Sequence, residues 1–385
     1  MEKIRVLFPY VESGFGHIMP MRSMEQTFRK KYGDKVEIIS SSFFKEGNNE
    51  DLIRFERFMV NQVKLYNGHP VIGFIVNVVG EIAGTHLSSF FTIRVTSPKA
   101  YKAAVEHMKE LAPDVVFSTH WATNYYAERL KENKPMTVMY CPDSRMNKLF
   151  KYNADLSMIS MPYGYKKALR NRKFNEDNLK MVPFLIRNEA FDIVPDKKAL
   201  RKKLGLPENN FTVILVEGGY GIGKITAISE LLIKEHLPLT VIPVCGKNEK
   251  LYNTLKSLTP TKEVTFLPQM FLENILEYEA ASDIFCGKSG NMLGEMTFFG
   301  VPSMVTNCTT TIERNIAYDY IHTAGSAFKE LSPKKAVRMI KDFAKDPSLL
   351  EPYHKAALDY HEHFGSEQAA DEMWKKMQER FPELR

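Results

Sequence analysis

Residues 212–224 read TVILVEGGYGIGK, an apolar run that ends in a glycine-rich turn and leads into a helical pattern. A short β-branched run followed by a turn and an amphipathic stretch is typical of a βα unit in a parallel sheet. The same rhythm recurs along the chain and predicts an α/β fold with one parallel sheet in each half. The predicted strands are Arg5–Phe8 (broken at Pro9), Val36–Ile39, Val115–Ser118, Thr137–Tyr140, Leu156–Ile159, Thr212–Val216, Leu239–Val244, Val264–Leu267, Asp283–Cys286 and Ser303–Val305.

A boundary between the two halves is predicted near residues 187–196. Pro183 and Pro195 flank this segment, and a basic stretch follows it. We therefore expect a first domain over residues 1–190 and a second over 191–365, as two Rossmann-like domains that face a central cleft and bind ligands at the carboxyl ends of their strands. Residues 366–385 are expected to form a helix that returns to the first domain, because apolar residues recur there at helical spacing. These residues are Ala369, Ala370, Met373, Trp374 and Met377.

Composition and charge exclude several classes of protein. The 385 residues are 44% apolar and carry a net charge of +6, an excess too mild to indicate nucleic-acid binding. The four cysteines form no CxxC pair, which predicts reduced thiols in a cytoplasmic protein. The longest apolar stretch, Val71–Gly84, is shorter than the roughly 20 residues that a membrane-spanning helix needs. We expect a cytoplasmic protein that attaches at most to a membrane surface.

The loop after the first predicted strand contains Gly14-Phe15-Gly16-His17. Glycines at this place allow a tight turn and let a ligand approach the backbone. Met19 breaks the GxGxxG fingerprint, so a dinucleotide site is disfavoured. His17 would face the ligand at the start of a helix, where an imidazole can accept a proton near neutral pH. The alternative is a turn with an incidental histidine.

The glycine loop at residues 217–224 nearly matches the Walker A pattern. Gly218 and Gly223-Lys224 have its spacing, but Ile225 occupies the position where a serine or threonine must hold magnesium. A P-loop nucleotide hydrolase is therefore disfavoured. Two interpretations stay open: a glycine loop that binds phosphate without a metal, and a bare turn.

A third glycine turn, Lys288-Ser289-Gly290, follows the predicted strand Asp283–Cys286. Gly290 permits a close backbone turn against a phosphate group. Glu295 lies one turn into the next helix, where its carboxylate can accept two hydrogen bonds from a ribose diol. Taken alone, a glutamate such as Glu295 is more often a helix-capping or surface residue, so the combination of features carries the interpretation.

The spacing Lys288-x-Gly290-x4-Glu295-x4-Gly300-x-Pro302 resembles the donor-site signature of GT-B glycosyltransferases related to the lipid-II N-acetylglucosaminyltransferase. The nearest likeness is to the monogalactosyldiacylglycerol synthases and the processive diacylglycerol glucosyltransferases, and it covers nearly the whole chain. Other segments that resemble this group are Glu313-x-Asn315, Val244–Asn248, Gly14–His17, Pro113–His120, Asp143 and Arg187–Phe191.

The chain departs from the pattern of this group at the donor site. Lys288-Ser289-Gly290-Asn291 replaces Lys-Pro-Gly-Gly, and Thr311-Ile312-Glu313 replaces a Gly-Gln-Glu loop. These departures bear on the choice of sugar and acceptor rather than on the fold.

The resemblance implies an inverting transfer of a hexose from a UDP-sugar to a membrane lipid, with diacylglycerol as the first candidate acceptor. It implies no cofactor and no bound metal, and the sequence contains no Asp-x-Asp pair. His17 would be the base that deprotonates the acceptor hydroxyl, with Asp143 as its rival or partner. The donor-binding residues that the resemblance implies are Gly16, Arg187, Gly219, Gly246, Met270, Lys288, Ser289, Gly290, Glu295, Glu313 and Asn315.

The apolar segment Val71–Phe91 and the basic residues near it indicate contact with an anionic membrane surface, on the inner face of the cell membrane. The alternative is a core helix beside a solvated basic face. Other acceptors, a UDP-sugar epimerase of the same architecture and a non-catalytic UDP-sugar-binding subunit also stay open, whereas a nucleic-acid partner is not expected. The membrane-facing and acceptor residues of this interpretation are Phe74, Ile75, Val78, Val79, His120 and Trp121.

Overall fold

The computed structural model describes residues 3–12, 15–47, 49–68, 94–95, 97–147, 150, 154–218, 221 and 223–385, with Phe15 and residues 62–68 described by their backbone alone. The chain divides into two compact units, one of residues 1–188 and 363–385 and one of residues 189–362. In the part of the chain that the structure describes, each unit contains a parallel sheet of six strands with helices packed against it, so the predicted α/β class is confirmed.

The sheet of the first unit has the strand order β2-β1-β3-β4-β5-β6, and all neighbouring strands are parallel. Its central strands are almost wholly apolar, because a parallel sheet is covered by helices on both faces. The order reverses direction between β1 and β3, and such a switch point is where ligands bind in open α/β sheets. The strands are β1 Arg5–Tyr10, β2 Glu37–Ser42, β3 Val115–Ser118, β4 Met136–Cys141, β5 Leu156–Ile159 and β6 Leu179–Met181.

The prediction that Pro9 breaks the first strand is wrong, because β1 continues through Pro9 to Tyr10. Proline cannot donate a backbone hydrogen bond, which normally excludes it from a central strand. Here the pairing of β1 with β3 covers only Val6 and Leu7, so Pro9 lies beyond that ladder and faces β2 alone.

Two apolar clusters fill the faces of the first sheet. One contains Phe43, Phe44 and the adjacent pair Tyr125 and Tyr126, all fully buried. The other contains Phe8, which contacts both Phe28 and the strand residue Phe117 by its ring. Among the described residues, the helices of this unit before the chain crosses to the second are α1 Phe15–Tyr32, α2 Phe43–Glu46, α3 Glu50–Gly68, α4 Pro98–Leu111, α5 Trp121–Ala127 and α6 Pro162–Leu169.

The sheet of the second unit has the order β12-β11-β10-β7-β8-β9, which is the strand order typical of a dinucleotide-binding Rossmann sheet. Its switch point lies between β7 and β10. The strands are β7 Phe211–Val216, β8 Leu239–Val244, β9 Val264–Phe266, β10 Ile284–Lys288, β11 Ser303–Asn307 and β12 Ala327–Lys329. The helices are α7 Lys197–Lys203, α8 Ile225–Leu232, α9 Glu249–Lys256, α10 Ile275–Ala281, α11 Met292–Phe298, α12 Thr311–His322, α13 Pro333–Lys345 and α14 Glu351–Asp359.

The last helix, α15, covers Glu367–Arg380 and belongs to the first unit. Its buried residues recur every three or four positions and join the cluster that contains Phe8. The Trp374 ring stacks on Tyr32 of α1 at 4.3 Å and 5°, and it also contacts Phe28. A fully buried large apolar side chain stabilises a fold by about 1.5–3 kcal/mol, so α15 is an integral part of the first core.

Candidate active site

His17 lies in the first turn of α1, at the switch point between β1 and β3. Its Nδ1 is 2.8 Å from the carbonyl oxygen of Thr119, and the hydroxyl of Thr119 donates in return to the carbonyl oxygen of His17 at 2.7 Å. A carbonyl oxygen only accepts hydrogen bonds, so Nδ1 carries the proton. Nε2 of a neutral His17 therefore keeps a lone pair and can accept a proton.

His120 follows β3 and lies beside His17. The two imidazole rings meet edge to face, with centroids 5.1 Å apart and planes at 76°. Nδ1 of His120 accepts a hydrogen bond from the backbone N–H of Ala122 at 3.2 Å and so caps α5. Burial lowers the pKa of His120 well below its usual value, and the charge of His17 lowers it further. His120 is therefore neutral at physiological pH, with its proton on Nε2.

Asp143 follows β4, the strand next to β3 in the sheet. Burial raises the pKa of its carboxyl group, and the positive charge of His17 opposes that rise. The two groups therefore interact electrostatically. The Phe150 ring lies parallel to His17 at 6.4 Å and 7°, which places an apolar surface on one face of the imidazole.

The other predicted residues of the first unit lie near these loops or outside the described residues. Gly16 is in the first turn of α1, and Trp121 begins α5 with its ring 5.5 Å from that of His120. Arg187, predicted to bind the donor, is half-buried in the first unit together with His17. Four predicted membrane residues lie outside the described residues; they are Phe74, Ile75, Val78 and Val79.

In the second unit, Lys288 is the last residue of β10, Ser289 and Gly290 follow it, and Lys288 and Ser289 contact the start of α12. Nζ of Lys288 pairs with Oε1 of Glu313 at 2.6 Å, and the hydroxyl of Ser289 donates to the carbonyl oxygen of Glu313 at 2.7 Å. A Cβ atom built on Gly290 would meet no atom within 4 Å. The turn therefore offers open space beside a lysine cation.

Glu313 organises the loop of threonines before α12. Its Oε2 accepts from the backbone N–H groups of Thr309 at 2.7 Å and Thr310 at 3.0 Å, while Thr310 Oγ1 accepts from the backbone N–H of Glu313. This reciprocal arrangement is a capping box. Both carboxylate oxygens of Glu313 are thus engaged by groups of the protein, and its contact with the donor stays a prediction.

The remaining predicted donor residues also lie in the second unit. Glu295 is buried in the first turn of α11, and Asn315 is half-buried on α12. Gly246 follows β8 with a positive φ of 60°, a conformation that favours glycine. Met270 is half-buried in the loop after β9. Gly219 lies outside the described residues.

The near-Walker loop is built around Glu217, a residue that sequence reasoning did not single out. Its Oε1 accepts from the backbone N–H of Lys224 at 3.1 Å and its Oε2 from Nδ2 of Asn307 at 3.0 Å. Nζ of Lys224 donates to the carbonyl oxygens of Thr306 at 2.7 Å and Leu331 at 2.5 Å. The loop lysine therefore braces neighbouring loops of its own unit. The available signal was an acidic residue directly after a strand that is apolar except for Thr212.

Gly223 completes this arrangement, because a Cβ there would lie 2.2 Å from the carboxylate of Glu217. Burial raises the pKa of Glu217, while its hydrogen bonds from Lys224, Asn307 and Thr306 lower it. Lys224 is engaged within the protein, and both interpretations of residues 217–224, a glycine loop that binds phosphate without a metal and a bare turn, stay predictions.

No group of three His, Cys, Asp or Glu side chains among the described residues is placed to hold a metal ion. Within the same residues, no helix is both long and apolar enough to cross a membrane.

No protein-family model matches this chain. It is similar to a probable chloroplastic monogalactosyldiacylglycerol synthase of Nicotiana tabacum, at 22% identity over 87% of this chain and 64% of that protein. It is also similar to the chloroplastic monogalactosyldiacylglycerol synthase 3 of Arabidopsis thaliana, at 24% identity over 93% of this chain and 78% of that protein. This chain is a distant relative of the monogalactosyldiacylglycerol synthases. It spans less than two thirds of the length of the tobacco protein.

Solved structures are similar to this chain over nearly its whole length. They include MnaA of Staphylococcus aureus with UDP, with a TM-score of 0.64, 13% identity and coverage of 100% of this chain and 98% of that one. A second is a putative UDP-N-acetylglucosamine 2-epimerase of Listeria monocytogenes, with a TM-score of 0.62, 12% identity and coverage of 100% of this chain and 98% of that one. A third is the glycotransferase of kitacinnamycin, with a TM-score of 0.60, 10% identity and coverage of 97% of this chain and 98% of that one. These likenesses show the fold, which is GT-B, and transferases and epimerases share it.

Proposed function

We propose that this chain is a glycosyltransferase that moves a hexose from a UDP-sugar to the hydroxyl group of a membrane lipid, with diacylglycerol as the first candidate acceptor. Similarity to monogalactosyldiacylglycerol synthases along most of the chain supports the lipid acceptor. The observation that carries the proposal is the hydrogen bond from Nδ1 of His17 to Thr119, which leaves the basic Nε2 of His17 at the switch point of the first sheet.

In the proposed reaction, the acceptor hydroxyl transfers its proton to Nε2 of His17 as its oxygen attacks the anomeric carbon of the sugar. The bond between that carbon and the phosphate oxygen breaks, and its electron pair leaves with UDP. Attack from the face opposite the leaving group inverts the configuration. Asp143 stabilises the imidazolium that forms, since the two groups interact electrostatically. Asp143 as the base is the rival assignment, because burial raises its pKa and so makes the carboxylate more basic.

The second unit is proposed to bind the donor. The ammonium group of Lys288 and the open space at Gly290 suit a diphosphate, and the buried carboxylate of Glu295 suits the ribose hydroxyls. Gly246 and Met270 complete the proposed donor site from the loops after β8 and β9. We propose that the transfer needs neither a metal ion nor a cofactor.

Peripheral attachment to the inner face of the cell membrane is also a proposal. Exposed basic residues cluster in and after α6 of the first unit, and each is worth about 1 kcal/mol near an anionic lipid surface. Further exposed basic residues lie at Arg94, Lys99 and Lys102. The residues in and after α6 are Lys166, Lys167, Arg170, Arg172 and Lys173.

The proposal is tested by a panel of donors and acceptors. UDP-glucose, UDP-galactose and UDP-N-acetylglucosamine are each mixed with vesicles of anionic lipid that contain diacylglycerol, and with matched vesicles that lack it. We expect UDP release and a labelled glycolipid only when diacylglycerol is present. Isomerisation of the UDP-sugar without any acceptor would identify an epimerase instead. Transfer to no lipid in the panel would reject the lipid acceptor.

A further inference from the structure

His17 and His120 hold their protons on opposite ring nitrogens, although they face one another in the same site. Thr119 fixes the proton of His17 on Nδ1, and Ala122 makes Nδ1 of His120 an acceptor. On the Nε2 side, His17 therefore offers a lone pair and His120 offers an N–H group.

We propose that Nε2 of His17 and the Nε2–H group of His120 bind one hydroxyl group of the acceptor between them, and that this pair selects a neutral alcohol as the nucleophile. This inference rests on the proposed function, and it assigns His120 as an acceptor-binding residue. The hydroxyl donates its hydrogen to His17 and accepts one from His120, while a second lone pair of its oxygen attacks the anomeric carbon.

The placement of the two rings allows this contact. They follow β1 and β3, which are neighbours in the sheet, and their centroids are 5.1 Å apart in an edge-to-face arrangement. One oxygen atom between rings at that spacing can lie about 3 Å from a nitrogen of each. As the proton moves to His17, negative charge develops on the oxygen, and the N–H group of His120 then binds it more strongly.

The pair discriminates between classes of nucleophile by its hydrogen-bonding pattern. A hydroxyl group both donates and accepts, so it satisfies both rings. An ammonium group only donates and would face the N–H of His120 without a partner. A carboxylate or phosphate only accepts and would face the lone pair of His17 and the nearby carboxylate of Asp143. An unmatched polar group of this kind reduces binding strongly in a buried site.

His120 also caps the N-terminus of α5. Two substitutions separate this structural role from the proposed binding of the acceptor. In His120→Asn, the side-chain oxygen can still accept from the N–H of Ala122, but nothing replaces Nε2–H. In His120→Gln, the longer amide can place an N–H near the position of Nε2, but the short cap is lost. Asparagine therefore keeps the helix cap and loses the N–H group that binds the acceptor, whereas glutamine keeps such an N–H group and loses the helix cap.

We expect His120→Asn to keep its melting temperature within about 2 °C of the parent and to lose about 10–100-fold in kcat/KM for the acceptor. His120→Gln should melt earlier and keep more of its kcat/KM than His120→Asn, and both should bind UDP as tightly as the parent. Full activity of His120→Asn, or activity that falls only in step with stability in the two variants, would overturn the proposal.

A second measurement needs no activity. Long-range proton–nitrogen NMR spectra resolve the ring nitrogens of the ten histidines, and the signals lost in His120→Asn and His17→Asn identify the pair. We expect a neutral His120 protonated on Nε2 and a neutral His17 protonated on Nδ1. His120 protonated on Nδ1 would reject the pair even if the protein transfers sugar. A parent protein that transfers no sugar while its tautomers agree would reject the proposed function alone.

Discussion

At the scale of single residues, side chains with the same sequence signature have different duties. Lys224 and Lys288 both belong to glycine-bearing turns after central strands. Lys224 is engaged with two backbone carbonyl oxygens, whereas Lys288 pairs with the carboxylate of Glu313 beside the open space at Gly290. The residue type and the turn are alike, so the duty of each lysine depends on what the surrounding loops bring to it.

Replacing Lys224 tests this distinction. Lys224→Met removes two charge-assisted hydrogen bonds to the carbonyls of Thr306 and Leu331. We expect the free energy of unfolding to fall by about 1–3 kcal/mol, with UDP affinity unchanged. Urea denaturation and calorimetry with UDP measure the two quantities. Lys288→Met is the matched variant and should weaken UDP binding. A tenfold loss of UDP affinity in Lys224→Met would instead make Lys224 a phosphate ligand.

The buried carboxylate of Glu217 predicts a pH dependence of stability. Burial raises its pKa above the ordinary value of 4.5, so the folded protein holds this proton to a higher pH than the unfolded chain does. The protonated Glu217 carboxyl group therefore contributes to stability at low pH, and this contribution is lost as the pH rises from about 4.5 through the pKa of the folded state.

Glu217→Gln lacks this titration but keeps an oxygen that can accept from the N–H of Lys224. We expect its stability relative to the parent to increase with pH over that window, as measured by urea denaturation at several pH values. The exposed Glu351→Gln serves as a control and should show no such trend. A difference that stays constant or decreases with pH would contradict the prediction.

His17 as the base predicts a specific kinetic effect. His17→Ala should lower turnover by about 10²–10⁴-fold and leave UDP affinity nearly unchanged, because the imidazole acts on the acceptor in the transition state. Asp143→Asn should lower turnover less, since it removes only the carboxylate that favours the imidazolium. Steady-state kinetics with acceptor vesicles measure both. The roles of the two residues are reversed if Asp143→Asn is inactive while His17→Ala keeps most of its turnover.

At the scale of elements, α1 has two roles. It carries His17 at its start, and farther along it contacts the two segments where the chain leaves the first unit and returns to it. Buried Ser23 and Thr27 of α1 make hydrogen bonds to Asn188, where the chain leaves the first unit, and to Ser366, just after it returns. The hydroxyl of Ser366 also lies 3.2 Å from Oδ1 of Asn188. This network fixes α15 and the crossing segment to one helix.

Ser366→Ala should therefore destabilise the first unit. The substitution leaves the buried groups of Thr27, Ser23 and Asn188 with fewer partners, at a cost of about 1–3 kcal/mol. Ser257→Ala removes a comparable hydroxyl from an exposed position and should change stability by less than about 0.5 kcal/mol. Denaturant unfolding of the two variants measures the difference, and equal effects would show that the network is not stabilising.

At the scale of the whole molecule, the chain forms two units with separate apolar cores. The first core includes buried residues of α15, which follows the entire second unit along the chain. Met373 of α15 is fully buried in the first core, and Ile340 of α13 is fully buried in the second. The two residues are close in sequence and belong to different cores.

This arrangement predicts where each substitution acts. Met373→Ala and Ile340→Ala each leave a cavity worth about 2–5 kcal/mol. Hydrogen exchange read by mass spectrometry should increase in β1 and α1 for Met373→Ala, and in β7 and β8 for Ile340→Ala. Increased exchange in the second unit with Met373→Ala would contradict the assignment of α15 to the first core.

The sequence by itself determined the elements whose stabilisation is local. The ten predicted strands are all present, and the central ones are recognisable because a strand buried on both faces is a nearly continuous apolar run. The edge strands β6 and β12 were missed, since Leu179–Met181 and Ala327–Lys329 each have a lysine among only three residues and so form no apolar run. The glycine turns and the GT-B class also followed from the sequence.

Only the tertiary structure decided which loops meet. Nδ1 of His17 bonds to Thr119, 102 residues away, and Nζ of Lys224 bonds to Leu331, 107 residues away. These partners become neighbours through the order of strands in each sheet, which no local pattern specifies. The role of a polar side chain depends on the groups with which it forms hydrogen bonds and ion pairs, and these groups come together only once the sheets have formed. The lone pair on His17, the bracing by Lys224 and the cap at Glu313 are therefore properties of the fold.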